Sequence, residues 1–184
     1  GYAKFRKKYR FDVALGPAPL RAEELADIPI VVTSTRDEFY TMPAAQRIDK
    51  MALAGFITSY LSPKFGMSHD RFKQWRQLAH YVDPQRPMGR LIGDAAVRRW
   101  TAQVAEHAPG PTWMMEFTRS DSPAVHCAEL EPLFGGSGDE EAKTTPAGEL
   151  NEWLRHYATT GEPGFPRYGD DHQVLEFNLD TGER

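Results

Sequence analysis

The sequence predicts a single α/β domain, in which short strands are separated by helices. Three segments have the apolar and β-branched character of strands, and segments with helical spacing of apolar residues lie between them. The chain has 184 residues, 40% of them hydrophobic, which is enough for one domain with a sizeable core. Three strands are few for a doubly wound sheet, so we expect either a small, heavily decorated sheet or part of a larger one.

The strands are predicted from three short segments. Residues 27–35, DIPIVVTST, form an apolar run that indicates a buried strand in a parallel sheet. Residues 111–119, PTWMMEFTR, are aromatic and bounded by turn signals, and residues 173–179, QVLEFNL, alternate as a strand does. The segment RDEFYTMP follows the first strand, so it would lie at the carboxyl edge of the sheet, where open α/β sheets bind their ligands.

Helices are predicted from apolar spacing with proline or glycine beyond their ends. They cover about residues 44–61, 68–81, 93–107 and 149–159. Residues 135–148, GGSGDEEAKTTPAG, lack large apolar side chains, so we expect a mobile surface loop there. Residues 1–10, which contain the basic cluster KFRKKYR, are expected to form an exposed, solvated terminal segment.

Composition and charge argue against several classes of partner. A net charge of −4 gives no global positive field, so we expect neither nucleic acid nor a membrane surface as a partner. No apolar stretch approaches the ~20 residues that a membrane span needs. The single cysteine, Cys127, excludes an internal disulfide and slightly favours a reducing compartment such as the cytoplasm.

A metal site is not expected, although His126, Cys127 and Glu129 lie close together in the sequence. A pair at i and i+3 of a helix can share one metal ion, but there is no second ligand cluster of the C-x-x-C or H-E-x-x-H kind. The glycine-rich GGSG lacks the preceding strand and the lysine of a phosphate-binding loop. We therefore predict neither a metal nor another cofactor.

Glu38 and His126 are the residues that suggest chemistry. Glu38 follows the first predicted strand and His126 follows the second after a short loop, so parallel strands would bring both side chains to one edge of the sheet. A carboxylate that orients an imidazole is half of a hydrolytic triad. Taken alone, His126 is better interpreted as a hydrogen-bonded loop histidine, and Glu38 as a solvated acid or the partner of Arg36.

Three segments, in this order, resemble the C-terminal part of type-B carboxylesterases, the cholinesterase and para-nitrobenzyl esterase branch of the α/β-hydrolases. IPIVVTSTRDEFY resembles the strand and acid loop of that family, SPAVHCAELEPLFG its histidine segment, and WLRHYATTGEPGFPRY its closing segment. The resemblance covers roughly residues 11–180. Around the acid, the sequence departs from the family pattern at three positions, Thr33, Thr35 and Phe39.

The resemblance implies a role for each candidate residue. Glu38 would be the acid of a catalytic triad, with Asp37 as the competing candidate, and His126 would be the general base. Glu129 would be a supporting carboxylate that ties the histidine loop down. The substrate class implied is a small-molecule carboxylic ester, and no cofactor is required.

The serine nucleophile of such an enzyme is not found in this sequence. It belongs on a G-x-S-x-G turn before the acid. The only similar stretch, GGSGD, lacks the second glycine and comes after the histidine. The glycine-rich segment that would supply the oxyanion hole is absent as well.

Two interpretations follow from the missing serine. In the first, residues 1–184 are the C-terminal segment of a single α/β-hydrolase domain, incomplete without an N-terminal portion that acts as its partner chain and carries the nucleophile. In the second, the chain is a free-standing module without catalysis that acts in binding or protein interaction. Because Glu38, His126 and Glu129 are all present at the family's spacing, the first interpretation is preferred.

Overall fold

The computed structural model describes residues 21–82, 85–135 and 144–184. These residues form a parallel sheet in the spatial order β1-β2-β3, whose strands are β1 (Ile30–Thr35), β2 (Thr112–Thr118) and β3 (Leu175–Asn178). In the register, Ile30 lies opposite Thr112 and Met115 lies opposite Leu175. The three predicted strands are confirmed. The predicted terminal segment 1–10 and most of the predicted loop 135–148 lie outside the described residues.

The helices of the described residues are α1 (Pro43–Asp49), α2 (Ala54–Leu61), α3 (His69–Val82), α4 (Pro87–Gly93), α5 (Arg99–His107), α6 (Leu130–Phe134) and α7 (Pro146–Thr160). Short 3₁₀ turns cover Ala22–Glu24 and Ser62–Phe65, and a π-helical turn covers Asp94–Arg98. Within the described ranges, no helix has both the length and the apolar character needed to cross a membrane.

The prediction of one continuous helix over residues 44–61 is wrong, because the chain breaks between α1 and α2. α1 ends at Asp49, whose carboxylate accepts hydrogen bonds from the backbone N–H groups of Met88 and Gly89 at 2.7 and 3.1 Å. These N–H groups lie in the first turn of α4, where a helix has no internal partner for them. Asp49 therefore caps α4 from a neighbouring helix, a contact that apolar spacing does not reveal.

Two further helix starts were predicted too late. The helix expected from residue 93 begins at Pro87 and runs to His107 through α4, the π-helical turn and α5. Pro87 is suited to the first helical position because its missing N–H would have no partner there. α7 begins at Pro146 rather than residue 149, since the Thr145 side chain accepts a hydrogen bond from the N–H of Gly148 at 3.1 Å and so caps the helix.

The core lies between the sheet and α7. Met115, Phe117 and Phe177 of the strands pack with Leu150 and Trp153 of α7. α5 packs on the other face of the sheet, where Thr112 Oγ1 donates a hydrogen bond to the carbonyl oxygen of Ala105 at 2.7 Å. The sheet therefore has helices on both faces. These helices do not cover the carboxyl ends of β1 and β2, and the residues that follow those ends can meet there.

Candidate active site

Glu38 and His126 meet at the carboxyl edge of the sheet. Glu38 lies in the turn that follows β1, and His126 lies in the loop that follows β2. Glu38 Oε2 is 2.5 Å from His126 Nδ1, and the backbone N–H of His126 donates a hydrogen bond to the carbonyl oxygen of Glu38 at 2.9 Å. The two residues are therefore joined through both their side chains and their backbones.

The Glu38 carboxylate is buried and held at both oxygens. The residue is 4% exposed, and Oε1 accepts a hydrogen bond from the backbone N–H of Thr35 at 2.8 Å. A buried carboxylate requires such partners because it has lost its water. Gly93 of α4 packs directly behind it, since a Cβ there would lie only 3.3 Å from Glu38 Cβ. The carboxylate is thus restricted to one orientation, with Oε2 at the imidazole.

The competing acid, Asp37, is directed to the backbone instead. Its Oδ2 accepts a hydrogen bond from the N–H of Ala124 at 2.8 Å, and its own N–H donates to the carbonyl oxygen of Ala124 at 2.9 Å. Asp37 thereby joins the acid turn to the histidine loop. Of the two neighbouring carboxylates, Glu38 is the one in contact with His126.

The other interpretations of Glu38 do not match its environment. A solvated acid would be exposed, and Glu38 is buried. Arg36, the alternative ion-pair partner, contacts Glu116 of β2 at 3.1 Å and Glu176 of β3 at 2.6 Å. The Glu38 carboxylate therefore remains assigned to the imidazole.

The imidazole of His126 is accessible on one side. Its side chain is 54% exposed, and one ring face stacks on Phe39 with the ring centroids 5.2 Å apart and an interplanar angle of 22°. With Nδ1 at Glu38, Nε2 is the nitrogen left for a reacting group. Among the described residues, no hydroxyl group hydrogen-bonds to Nε2. The described residues thus leave an accessible imidazole nitrogen with no hydroxyl group bound to it.

Cys127, next to His126, does not replace the missing serine. Its backbone is left-handed, with φ 67°, a conformation that residues other than glycine rarely adopt. Desolvation, followed by the charges of Glu129 and Glu38, raises the pKa of the Cys127 thiol. Because the thiolate is the nucleophilic form, a raised pKa makes this cysteine a poor nucleophile at neutral pH.

Glu129 is the residue that was predicted to tie down the histidine loop. Its Oε2 is buried, and no group within residues 21–82, 85–135 and 144–184 hydrogen-bonds to it. Burial raises the pKa of Glu129; the Glu38 charge adds to this rise, while the backbone and His126 oppose it. A buried acceptor without a partner is unfavourable, so a donor for Oε2 is missing from the described residues.

Arg98 is a site residue that the sequence analysis missed. It lies in the π-helical turn, and its Nη1 donates hydrogen bonds to the carbonyl oxygens of Thr35 and Arg36 at 2.8 and 2.9 Å. Its Nε lies 2.5 Å from Asp94 Oδ1. An Asp and an Arg four residues apart on a helix are typical of a solvated ion pair, so the sequence carried no signal for this contact.

The described residues contain no group of three or more His, Cys, Asp or Glu side chains that could hold a metal ion. His126 and Glu129 are close in sequence, but the imidazole Nδ1 is engaged by Glu38. The chemistry that this arrangement supports is proton transfer at His126 Nε2.

Solved structures similar to this chain include two esterases. A structure named PNB esterase superposes with a TM-score of 0.55 and 20% sequence identity, covering 83% of this chain and 35% of that one. The carboxylesterase EST55 of Geobacillus stearothermophilus gives a TM-score of 0.59 and 17% identity, covering 81% of this chain and 36% of that one. No protein-family model and no curated protein sequence matches the chain.

Both similar structures are type-B carboxylesterases, and this chain spans about a third of their length. At this level of identity, the likeness shows the fold. The predicted fold class is therefore confirmed: the chain has a small parallel sheet flanked by helices that matches part of the α/β-hydrolase fold of type-B carboxylesterases.

Proposed function

We propose that this chain supplies the acid and the general base of a serine carboxylesterase, and that an N-terminal portion of the enzyme supplies the serine. The observation that carries the proposal is the 2.5 Å contact between Glu38 Oε2 and His126 Nδ1 beyond the ends of two parallel strands. In α/β-hydrolases the serine precedes the acid and the histidine along the chain. The N-terminal portion is therefore the place for the nucleophile.

The reaction assigns a step to each residue. His126 Nε2 accepts the serine hydroxyl proton while the serine oxygen attacks the ester carbonyl carbon, and then donates that proton to the leaving alcohol. Water repeats the two steps on the acyl-enzyme and releases the carboxylic acid. Glu38 accepts the hydrogen bond of Nδ1–H throughout and stabilises the imidazolium. The oxyanion donors, worth about 10²–10³ in rate, also belong to the N-terminal portion.

The sheet edge supports a covering portion of this kind. β1 is the end strand of the described sheet, and its residues Ile30 to Thr33 are only partly buried, although three of them are apolar. β2 in the middle of the sheet is buried at six of its seven positions. An open edge of this kind is a template for a further strand.

A second surface supports the same conclusion. Leu53, Phe56 and Tyr60 are 66, 71 and 73% exposed. Their spacing places them on one face of α2, so they form an apolar stripe that the described residues leave uncovered. Together with the unpartnered Oε2 of Glu129, this stripe fits a chain that packs against further protein.

Co-expression tests the proposal. The chain and the N-terminal portion should elute together in size-exclusion chromatography, and the complex should hydrolyse a p-nitrophenyl ester. Neither part should hydrolyse the ester by itself. His126→Ala should lower the rate of the assembled protein by about 10⁴-fold or more, because both proton transfers use this base. His156→Ala, at an exposed position of α7, is the matched control and should leave the rate unchanged.

Two results would contradict the proposal. A His126→Ala enzyme within tenfold of the wild-type rate would remove the general-base assignment. An assembled protein that folds and hydrolyses no ester would favour the alternative, a catalytically inactive module that acts in binding or protein interaction.

A further inference from the structure

We propose that Arg98 is a positioning residue for the catalytic acid, an inference that rests on the proposed function. Arg98 holds the turn that carries Glu38, so that the carboxylate stays against His126 during proton transfer. It does not contact the imidazole itself and acts through the backbone of the acid turn.

The contacts form a short chain from Arg98 to the imidazole. Arg98 Nη1 binds the carbonyl oxygens of Thr35 and Arg36, which are the last residue of β1 and the first residue of the turn. The N–H of Thr35 holds Glu38 Oε1 at 2.8 Å, and Glu38 Oε2 lies 2.5 Å from His126 Nδ1. Thr35 is thus bound by Arg98 through its carbonyl and binds the acid through its N–H.

Arg98 is itself held in place. Its Nε lies 2.5 Å from Asp94 Oδ1, and Asp94 Oδ2 accepts hydrogen bonds from Trp75 Nε1 at 2.7 Å and from Arg90 Nε at 3.1 Å. The side chains of Arg98 and Asp94 are only 12 and 19% exposed. Charge-assisted hydrogen bonds in such an environment are short and strong. The guanidinium therefore has a defined position from which to hold the two carbonyl groups.

The local helix geometry brings Arg98 to the acid turn. Asp94–Arg98 forms the π-helical turn between α4 and α5, and π-helical turns in proteins are often found at functional sites. Gly93, immediately before it, permits the close approach. A Cβ at Gly93 would lie 3.0 Å from Arg98 Nη2 and 3.3 Å from Glu38 Cβ. Helix and acid turn thus meet across this glycine.

Arg90 provides a matched control for Arg98. It pairs with the same Asp94, and its side chain is 14% exposed against 12% for Arg98. Arg90 binds Asp94 Oδ2, and the carbonyl groups of Thr35 and Arg36 are bound by Arg98 alone among the described side chains. Arg90→Met removes one ion pair with Asp94. Arg98→Met removes its ion pair with Asp94, a longer one with Glu116 at 3.7 Å, and the hold on the turn.

The experiment compares Arg98→Met, Arg98→Lys and Arg90→Met in the assembled protein. Steady-state kinetics on a p-nitrophenyl ester and the low-field proton resonance of His126 Nδ1–H are the two measurements. Arg98→Met should lower kcat about 10- to 100-fold with KM within twofold, because misplacement of a catalytic group slows the chemical step. It should also weaken or shift the low-field resonance. Arg90→Met leaves Trp75 Nε1 as a partner of Asp94 Oδ2, so it should change both measurements less than Arg98→Met does.

Arg98→Lys should recover only part of kcat, because its single nitrogen cannot occupy the positions of both Nε, which meets Asp94, and Nη1, which meets the two carbonyl oxygens. If Arg98→Met fails to assemble, kcat and the low-field resonance are compared between Arg98→Lys and Arg90→Met instead. The proposal is overturned by an Arg98 variant with kcat within twofold of wild type, or by equal losses in the Arg90 variant. If the wild-type protein hydrolyses no ester, the proposed function fails; an unchanged resonance in the Arg98 variants would then overturn the positioning role separately.

Discussion

The two halves of the candidate site differ in how completely this chain builds them. Glu38 is 4% exposed, and both of its carboxylate oxygens have partners. The His126 side chain is 54% exposed, and the nearby Glu129 has an oxygen without a partner in the described part of the chain. The acid half is therefore complete within this chain. The histidine half is open to solvent, and the proposed serine and substrate would lie there.

Of three further changes, the largest effect is expected from one in the complete half. Glu38→Gln should lower kcat of the assembled protein by about 10³- to 10⁴-fold, because a neutral amide neither stabilises the imidazolium nor selects the correct tautomer. Asp37→Asn is the matched control at the neighbouring position. Its amide oxygen can still accept the hydrogen bond from Ala124, so the loss should be less than tenfold. A larger loss for Asp37→Asn than for Glu38→Gln in the same assay would reverse the assignment of the acid.

A smaller effect is expected in the open half. Burial raises the pKa of Glu129 in the folded chain, so the folded state binds its proton more tightly than the unfolded state does. Stability contributed by this residue is therefore lost as pH rises above about 4.3, the ordinary glutamate value. Glu129→Gln should stabilise the chain alone at pH 7 by less than about 1 kcal/mol, because solvent screens a partly exposed carboxylate, and should have little effect below pH 4.

Thermal unfolding of the wild-type chain and of Glu129→Gln, each alone, at pH 7 and below pH 4 measures this effect. Glu131→Gln, at an exposed position of the same segment, is the control and should change stability little at either pH. In the assembled protein, a donor from the N-terminal portion would meet Glu129 Oε2, so the stabilisation should shrink or reverse there. Equal stabilisation with and without the N-terminal portion would show that Glu129 remains unpartnered.

The smallest effect concerns the backbone beside His126. Cys127 has φ 67°, which costs a residue with a side chain more than it costs glycine. Cys127→Gly should therefore raise the free energy of unfolding by about 0.5 to 1 kcal/mol. This is a net value, because glycine also gives the unfolded chain more conformational freedom, which reduces the gain. Cys127→Ala retains the Cβ and should give no such gain. A chemical denaturation series on the three proteins decides this, and equal stability of the Gly and Ala variants would contradict it.

Some of this arrangement could be predicted from the sequence because it depends on local patterns. The apolar runs predict β1 and β2, and parallel strands place the residues after their carboxyl ends together. That rule is sufficient to bring Glu38 and His126 to one edge, where the structure places them in contact. The departures around the acid were also visible, and one of them, Phe39, now stacks on the imidazole.

The rest depended on contacts between distant residues and backbone atoms. Arg98 binds the carbonyl groups of Thr35 and Arg36, which lie 63 and 62 positions earlier in the chain, and any residue type offers a carbonyl oxygen. Asp49 likewise caps α4 through the N–H of Met88. Contacts between two side chains leave a pattern of complementary residue types in the sequence. Hydrogen bonds from a side chain to backbone atoms leave no such pattern. For this reason the sequence indicated the contact between Glu38 and His126 and gave no sign of Arg98.

The most direct test of the account asks where an activated serine lies. The natural protein that contains this chain should be treated with a fluorophosphonate ester, which forms a stable adduct with a serine activated by a triad, and the adduct located by peptide mass spectrometry. The account predicts a single labelled serine outside residues 1–184, in a G-x-S-x-G sequence, and loss of the label in His126→Ala. A label on a serine within residues 1–184, or a folded protein that takes no label, would contradict it.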